Sequence, residues 1–287
     1  MGAVFEKEFK SSMRTMTGPI FIAFLLLWFG IYTSELNLEY GTAKFEYTIG
    51  YAAFLSLLAL PLLTMRSFSE EKHNGSDKLL YSLPLKTGSI VAAKYFAALA
   101  IFAIPVAIIA IYPVILSRFG TIYLNTAYSS LIAYFLLGST LIAIGIFISS
   151  LTESQVIAAI ISFGAIILMF YLSELSSGLP KTQTFSFIFL IILALIVGAI
   201  AYVLTKSFTA SAVIFAIGAA ATLIAFIFNK SAFEGLAGKW LSTLDIFDRM
   251  QNFFTGRLDI EAVIFYISIT VFFLFLTSQA VEKKRWN

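Results

Sequence analysis

The chain has 287 residues, 60% hydrophobic, 16% aromatic and only 12% charged, with no cysteine, one histidine and a formal net charge of +3. Soluble domains carry roughly 25% charged residues, and a single soluble core stops growing near roughly 250–300 residues, so this composition excludes a water-soluble globular fold and points to an integral membrane protein. The missing cysteines exclude disulfide scaffolds, thiolate metal sites and cysteine nucleophiles, and the small positive charge excludes nucleic acid as a partner.

Residues 2–16 read as an amphipathic helix lying in the membrane interface. Phe5, Phe9, Met13 and Met16 recur at helical spacing, with Glu6, Lys7, Lys10 and Arg14 elsewhere, before the chain turns at Gly18-Pro19. Eight uncharged runs of at least 19 residues follow, at 15–34, 47–65, 95–117, 119–152, 154–173, 182–205, 207–229 and 262–281. A crossing helix needs about 20 apolar residues, and a charge at mid-bilayer costs at least about 2.5–3.5 kcal/mol on insertion scales. The runs therefore predict about eight transmembrane helices, near 19–34, 48–65, 96–116, 128–150, 155–172, 185–205, 210–228 and 260–280. Unbroken apolar runs exclude a β-barrel. The predicted fold class is an all-α polytopic membrane protein, with 1–287 a single membrane domain and no soluble domain at either end.

With eight spans both termini share one side. Twelve Lys and Arg residues fall on that side and seven on the other, which places the termini in the cytoplasm by the positive-inside rule. The first span reads as retained, without a signal-peptide cleavage site.

The longest loop on the terminal side is 66–94. It opens Arg66-Ser67-Phe68-Ser69-Glu70-Glu71-Lys72, breaks at Asn74-Gly75 and restarts with Ser76-Asp77 as a helix cap. Lys78, Leu79, Leu80 and Tyr81 then form a short helix that Pro84 ends. Apolar residues retained on a charged loop suit docking onto a partner; on the loop alone, lying on the bilayer surface is the equal alternative. On the opposite side, Phe233, Leu236, Ala237, Trp240, Leu241, Leu244 and Phe247 mark one face of an outer amphipathic helix within 231–258. Pro61, Pro105 and Pro113 predict kinks in spans two and three. Gly138, Ser139, Gly145 and Ser149 in span four, with Ala158 and Ser162 in span five, predict close helix packing.

What is absent narrows the mechanism. No span carries a mid-membrane Asp, Glu, Lys, Arg or His, so the parts of a proton relay or ion-coupled carrier are missing. There is no phosphate-binding loop; Gly235-Leu236-Ala237-Gly238-Lys239-Trp240 has the wrong spacing and lies on the outer side. His73 lacks a pocket, and Glu70, Glu71, His73 and Asp77 match no strong metal signature. The residues predict no catalytic, cofactor-binding or metal site, and substrate-contacting residues are not legible. A pump made from this chain borrows its energy from a partner; a channel, a scaffold or an intramembrane enzyme is the alternative.

Three blocks carry a resemblance. Leu60-Pro61-Leu62-Leu63-Thr64-Met65-Arg66 is followed by Glu70-Glu71, Gly75-Ser76, Leu79-Leu80, Pro84 and Lys94. Ile144-Gly145 leads to Ile148-Ser149-Ser150-Leu151-Thr152-Glu153 and Gln155. Phe253-Phe254, Gly256 and Leu258-Asp259 precede the last span, and Lys284-Arg285-Trp286 follow it. Over roughly 1–172 and 240–287 the chain resembles the type-2 ATP-binding-cassette exporter permeases, most closely the gliding-motility-associated branch. The resemblance implies a permease subunit that is not itself catalytic and binds no cofactor, the ATP being held by a separate ABC ATP-binding subunit. It further implies a second permease, the same or a sister chain, with membrane lipid around both and a place in the bacterial inner membrane. The ATPase contact would be Arg66, Glu70, Glu71, Gly75, Leu79, Leu80 and Pro84 on the coupling loop, with Thr152 and Glu153. The family norm is six spans, so 182–230 reads as an inserted helical hairpin.

Overall fold

The computed structural model describes residues 1–76, 86–205, 208–243 and 245–285. The chain is 84% helical, and no strand occurs among the described residues. Two compact units emerge, one comprising Met1–Leu168 with Ile246–Asn287, the other Met169–Asp245.

In the first unit α1 (Gly2–Arg14) leads into α2 (Thr17–Tyr32), which continues as a π-helical stretch over Thr33–Glu39. Then come α3 (Phe45–Thr64), α4 (Arg66–His73), α5 (Thr87–Ile109), α6 (Tyr112–Leu116), α7 (Leu124–Leu151) and α8 (Gln155–Phe170). In the second unit α9 (Leu172–Gly178) precedes the apolar pair α10 (Gln183–Thr205) and α11 (Phe208–Phe228), a 3-10 turn at Lys230–Phe233 and α12 (Leu236–Thr243). The first unit closes with α13 (Asp248–Gln251), a 3-10 turn at Asn252–Thr255 and α14 (Ile260–Arg285).

Five helical stretches among the described residues are long and apolar enough to span a bilayer: Thr17–Glu39, Phe45–His73, Thr87–Leu116, Leu124–Leu151 and Ile260–Lys283. They coincide with five of the eight predicted spans. The other three correspond to shorter apolar helices, Gln155–Phe170 and the stretches Gln183–Leu195 and Phe215–Phe228 of α10 and α11. At 1.5 Å per residue α8 rises about 24 Å, short of the ~30 Å hydrocarbon core. Pro61 and Pro105 lie inside α3 and α5 as predicted, whereas Pro113 starts the separate helix α6, where its missing N–H is harmless.

The centre of the first unit is α7. Of its most apolar stretch 78% is buried, against 22% for α2 and for α14. Tyr134 is fully buried, its hydroxyl 2.8 Å from Ser56 Oγ, and packs edge-on to Phe29 and against Phe102. Two glycines one heptad apart bring neighbours close. A Cβ on Gly138 would overlap the Phe102 ring of α5, and one on Gly145 would overlap the Thr64 side chain of α3. The small residues of span four are thus contact points, as close packing in membranes requires.

The Phe253–Asp259 block builds the entry to α14. Ser129 Oγ donates to the Phe253 carbonyl at 2.7 Å, Gly256 turns at φ 77° beside Thr126, and the Phe254 ring lies 3.6 Å from where a Gly50 Cβ would be. Asp259 then caps α14, its Oδ1 accepting from the Glu261 N–H at 2.9 Å. A hydrogen bond from Asn252 holds the Asp259 carboxyl below the usual carboxylate range. The predicted outer helix is helical over Leu236–Thr243, shorter than its apolar period, because the chain reaches it through Gly235 at φ 66°. On it Ala237 is buried and Trp240 exposed.

Adding a methyl at the two glycine contacts separates α7 from its neighbours. Gly138→Ala and Gly145→Ala are each expected to cost about 1–3 kcal/mol, read as a fall in melting temperature in detergent. Gly164→Ala, where the added methyl meets nothing within 4 Å, is the control and leaves the melting temperature unchanged or raised.

Candidate functional site

A cluster of ion pairs lies where α1, α4, α5 and the end of α7 meet. This is the end of the spans that carries the N-terminus. Lys94, two turns into α5, is 1% exposed in its side chain and holds three acceptors. Its Nζ is 3.0 Å from Glu8 Oε1 of α1, 3.0 Å from Glu71 Oε2 of α4 and 2.7 Å from the Ser67 carbonyl. The ammonium also stands 4.9 Å over the Phe68 ring. A buried ammonium has three N–H donors and no tolerance for unpaired charge; here Glu8 and the Ser67 carbonyl accept hydrogen bonds and Glu71 adds a second negative charge as an ion pair. Lys7 approaches the other Glu71 oxygen at 3.5 Å from the exposed side.

A second set of bonds fixes α4 to α7. Ser149 Oγ accepts from the Phe68 N–H at 3.1 Å and the Ser69 N–H at 3.2 Å, and donates to the Met65 carbonyl at 3.0 Å. Free N–H groups at a helix start need acceptors, and a serine from another helix supplies one here. Lys72 Nζ donates to the Ser150 carbonyl. Because Met65 N–H still donates to the Pro61 carbonyl at 2.8 Å, α4 prolongs α3 with almost no break. The result is a stiff arm that begins in the membrane and ends in the exposed turn His73–Ser76, where Gly75 adopts φ 67°.

The sequence-predicted contact residues divide accordingly. Arg66 is half-buried, its guanidinium gripping Glu70 by two bonds of 2.9 Å and reaching Thr17 Oγ1 at 3.1 Å. Glu71 turns inward to Lys94, leaving 13% of its side chain exposed. Gly75 occupies the exposed turn. Thr152 ends α7, its Oγ1 donating to the Ser154 carbonyl at 3.1 Å, and Glu153 beside it is exposed. Leu79, Leu80 and Pro84 lie outside the described residues, as does the Ser76-Asp77 cap's helix. Glu8, Lys94, Ser149 and Lys72 were not among the predicted site residues. One signal was available for Lys94: it falls on the apolar stripe Ile90, Ala97, Ile101 of its own helix, where a charge needs partners. On the exposed face of α1, Lys10 beside Glu6 holds the Glu6 carboxyl below its usual range. Among the described residues no group of three or more His, Asp or Glu could hold a metal ion.

This arrangement joins an interfacial helix, a protruding arm and buried spans through one ionic centre, and it lacks any reactive constellation. Comparison with known proteins gives the class: residues 4–215 match the family model described as ABC-2 family transporter protein. The chain belongs to the ABC-2 transporter family. The match contains the ionic centre, the arm and the Thr152-Glu153 loop, and it extends through α10 into α11. No curated protein and no solved structure matches the chain. As an ABC-2 permease the protein is the membrane component of an ABC transporter, not a catalyst, and the family implies an ABC ATP-binding partner.

Removing the Lys94 charge leaves two largely buried carboxylates close together. Lys94→Met is expected to cost about 3–5 kcal/mol, measured as loss of the folded peak in detergent chromatography and a lowered melting temperature. Adding Glu8→Gln and Glu71→Gln to Lys94→Met is expected to restore most of the loss. Failure of that rescue would show that the ionic balance is not what Lys94 supplies.

Proposed function

We propose that this permease moves a hydrophobic or amphipathic molecule out of a bacterial cytoplasm, using ATP hydrolysed by a separate cassette subunit, and that it belongs near the gliding-motility-associated branch. Both termini face the cytoplasm in the inner membrane. Two permeases, identical or sister chains, share two cassettes. The exposed apolar face of α2, at Ile20, Phe24, Leu27 and Ile31, is available to lipid or to that second permease.

The observation that carries this reading is the α3–α4 arm. Its tip, His73–Ser76, is exposed, and its root is bonded to α1, α5 and α7 through Lys94 and Ser149. A push on the tip is therefore delivered to four helices together. Within the predicted coupling loop this separates two roles. Gly75 with its flanking loop residues makes the contact with the cassette, and Glu153 adds a second contact. Arg66, Glu70 and Glu71 brace the arm from inside. Leu79, Leu80 and Pro84 extend the contact.

Affinity purification from native membranes in mild detergent is expected to recover a cassette ATPase in about equal amount. Gly75→Pro conflicts with the positive φ and removes the Gly75 N–H bond to the Lys72 carbonyl. Combined with Glu153→Lys, it is expected to lower permease-stimulated ATP hydrolysis tenfold or more with the melting temperature unchanged. A homo-oligomer without any ATPase, or full stimulation by the double variant, overturns the reading.

A further inference from the structure

Two cavities meet at the corner where α1 turns into α2. One, about 60 Å³, is polar and is lined by Glu8, Ser11, Ser12, Arg66, Glu70 and Lys94 among others. The other, about 290 Å³, is apolar and runs between the start of α2 and the end of α3, past Ile20, Phe24, Leu58 and Leu62. Thr15, Thr17 and Leu63 line both, so the two adjoin, one polar and one apolar. The apolar part opens to the bilayer, since Ile20, Leu58 and Leu62 are 65%, 47% and 52% exposed. The apolar end is about five times the volume of the polar end, so an acyl chain belongs in the one and a polar head at the other.

The charges of the polar end define the head that fits. Its lining carries two cations, Arg66 and Lys94, and two carboxylates, Glu8 and Glu70, with five hydroxyl side chains around them. Lys94 already donates to Glu8 and the Ser67 carbonyl and pairs with Glu71. Arg66 has five N–H groups, of which two bind Glu70 and one binds Thr17. Two guanidinium N–H groups are left for a phosphate oxygen, beside the hydroxyls. Glu8 and Glu70 retain acceptor capacity for an ammonium. A head bearing a phosphate and a primary amine satisfies both, whereas an anionic head brings no positive charge to the two carboxylates.

The corner is preformed. Met16 is held at φ 64°, and a Cβ on Gly18 would stand 3.2 Å from the Ser12 carbonyl oxygen, so α1 is folded tightly back on α2 with little freedom to lose on binding. We infer that the α1–α2 corner is a binding site for a membrane phospholipid with an amine-bearing zwitterionic head, one acyl chain lying in the α2–α3 groove. The site is distinct from the transport reading and needs no ATPase for its test.

The full chain, delipidated in detergent, is titrated with phosphatidylethanolamine, phosphatidylcholine and phosphatidylglycerol of identical acyl chains, and adducts are counted by native mass spectrometry. One tightly held phosphatidylethanolamine is expected, with at least tenfold weaker retention of the other two. Leu62→Trp fills the groove from its lipid-exposed side, and Thr17→Val removes a hydroxyl; each is expected to lower retention about tenfold. Ile31→Trp, exposed on α2 away from the groove, leaves it unchanged. Equal retention of the three lipids, preference for the anionic one, or undiminished retention in both groove variants overturns the proposal. Should Leu62→Trp not fold, Ile20→Trp tests the same groove from α2.

Discussion

A lysine ammonium enclosed by protein must be neutralised, and in this chain that requirement organises one whole end of the molecule. Lys94 draws Glu8 from α1 and Glu71 from α4 to within 3.0 Å each, and takes the Ser67 carbonyl as well. Two segments far apart in sequence, α1 and α4, are fixed to one atom of α5. Solvating a charge at this depth by anything else would need water in a packed site, so the geometry is stiff as well as specific. The interfacial helix is thereby part of the structural core.

Around that centre, sterics and hydrogen bonding work in the same direction. The glycines of α7 allow α3 and α5 to approach until a methyl group would no longer fit. Ser149, one turn beyond Gly145, then satisfies the first amides of α4. Dispersion and polar satisfaction drive membrane helix association where the hydrophobic effect gives little, and α7 supplies both along a single face. Hence α4 leaves the membrane as a prolongation of α3, supported on three sides.

An ABC-2 permease has to pass a mechanical input into its spans without a catalytic group of its own. The ionic centre and the arm give the means, while the outward-facing apolar residues of α2 and α14 leave room for lipid or a neighbouring subunit. The two compact units differ in kind. The first contains the aromatic core and the ionic centre; the second is an apolar helix pair, α10 and α11, closed by short helices.

Composition and charge spacing alone determined that the chain is an all-helical membrane protein, where its long apolar helices run, and where the chain emerges on the terminal side. These properties follow from the cost of burying charge in lipid and from the length of a helix that crosses it, both of which are local. At Gln155–Phe170 the uncharged run 154–173 continues past the helix, so charge spacing overstates its length. Only the tertiary structure decided that Glu71 and Lys94 are partners, that Glu8 joins them, and that Glu70 faces Arg66. A charged residue in sequence looks the same whether it is aimed at solvent, a subunit or a buried counterion. Which of these it meets depends on helix rotation and on contacts between residues as distant as 8 and 94, and those are set by how closely Gly138 and Gly145 let the helices approach.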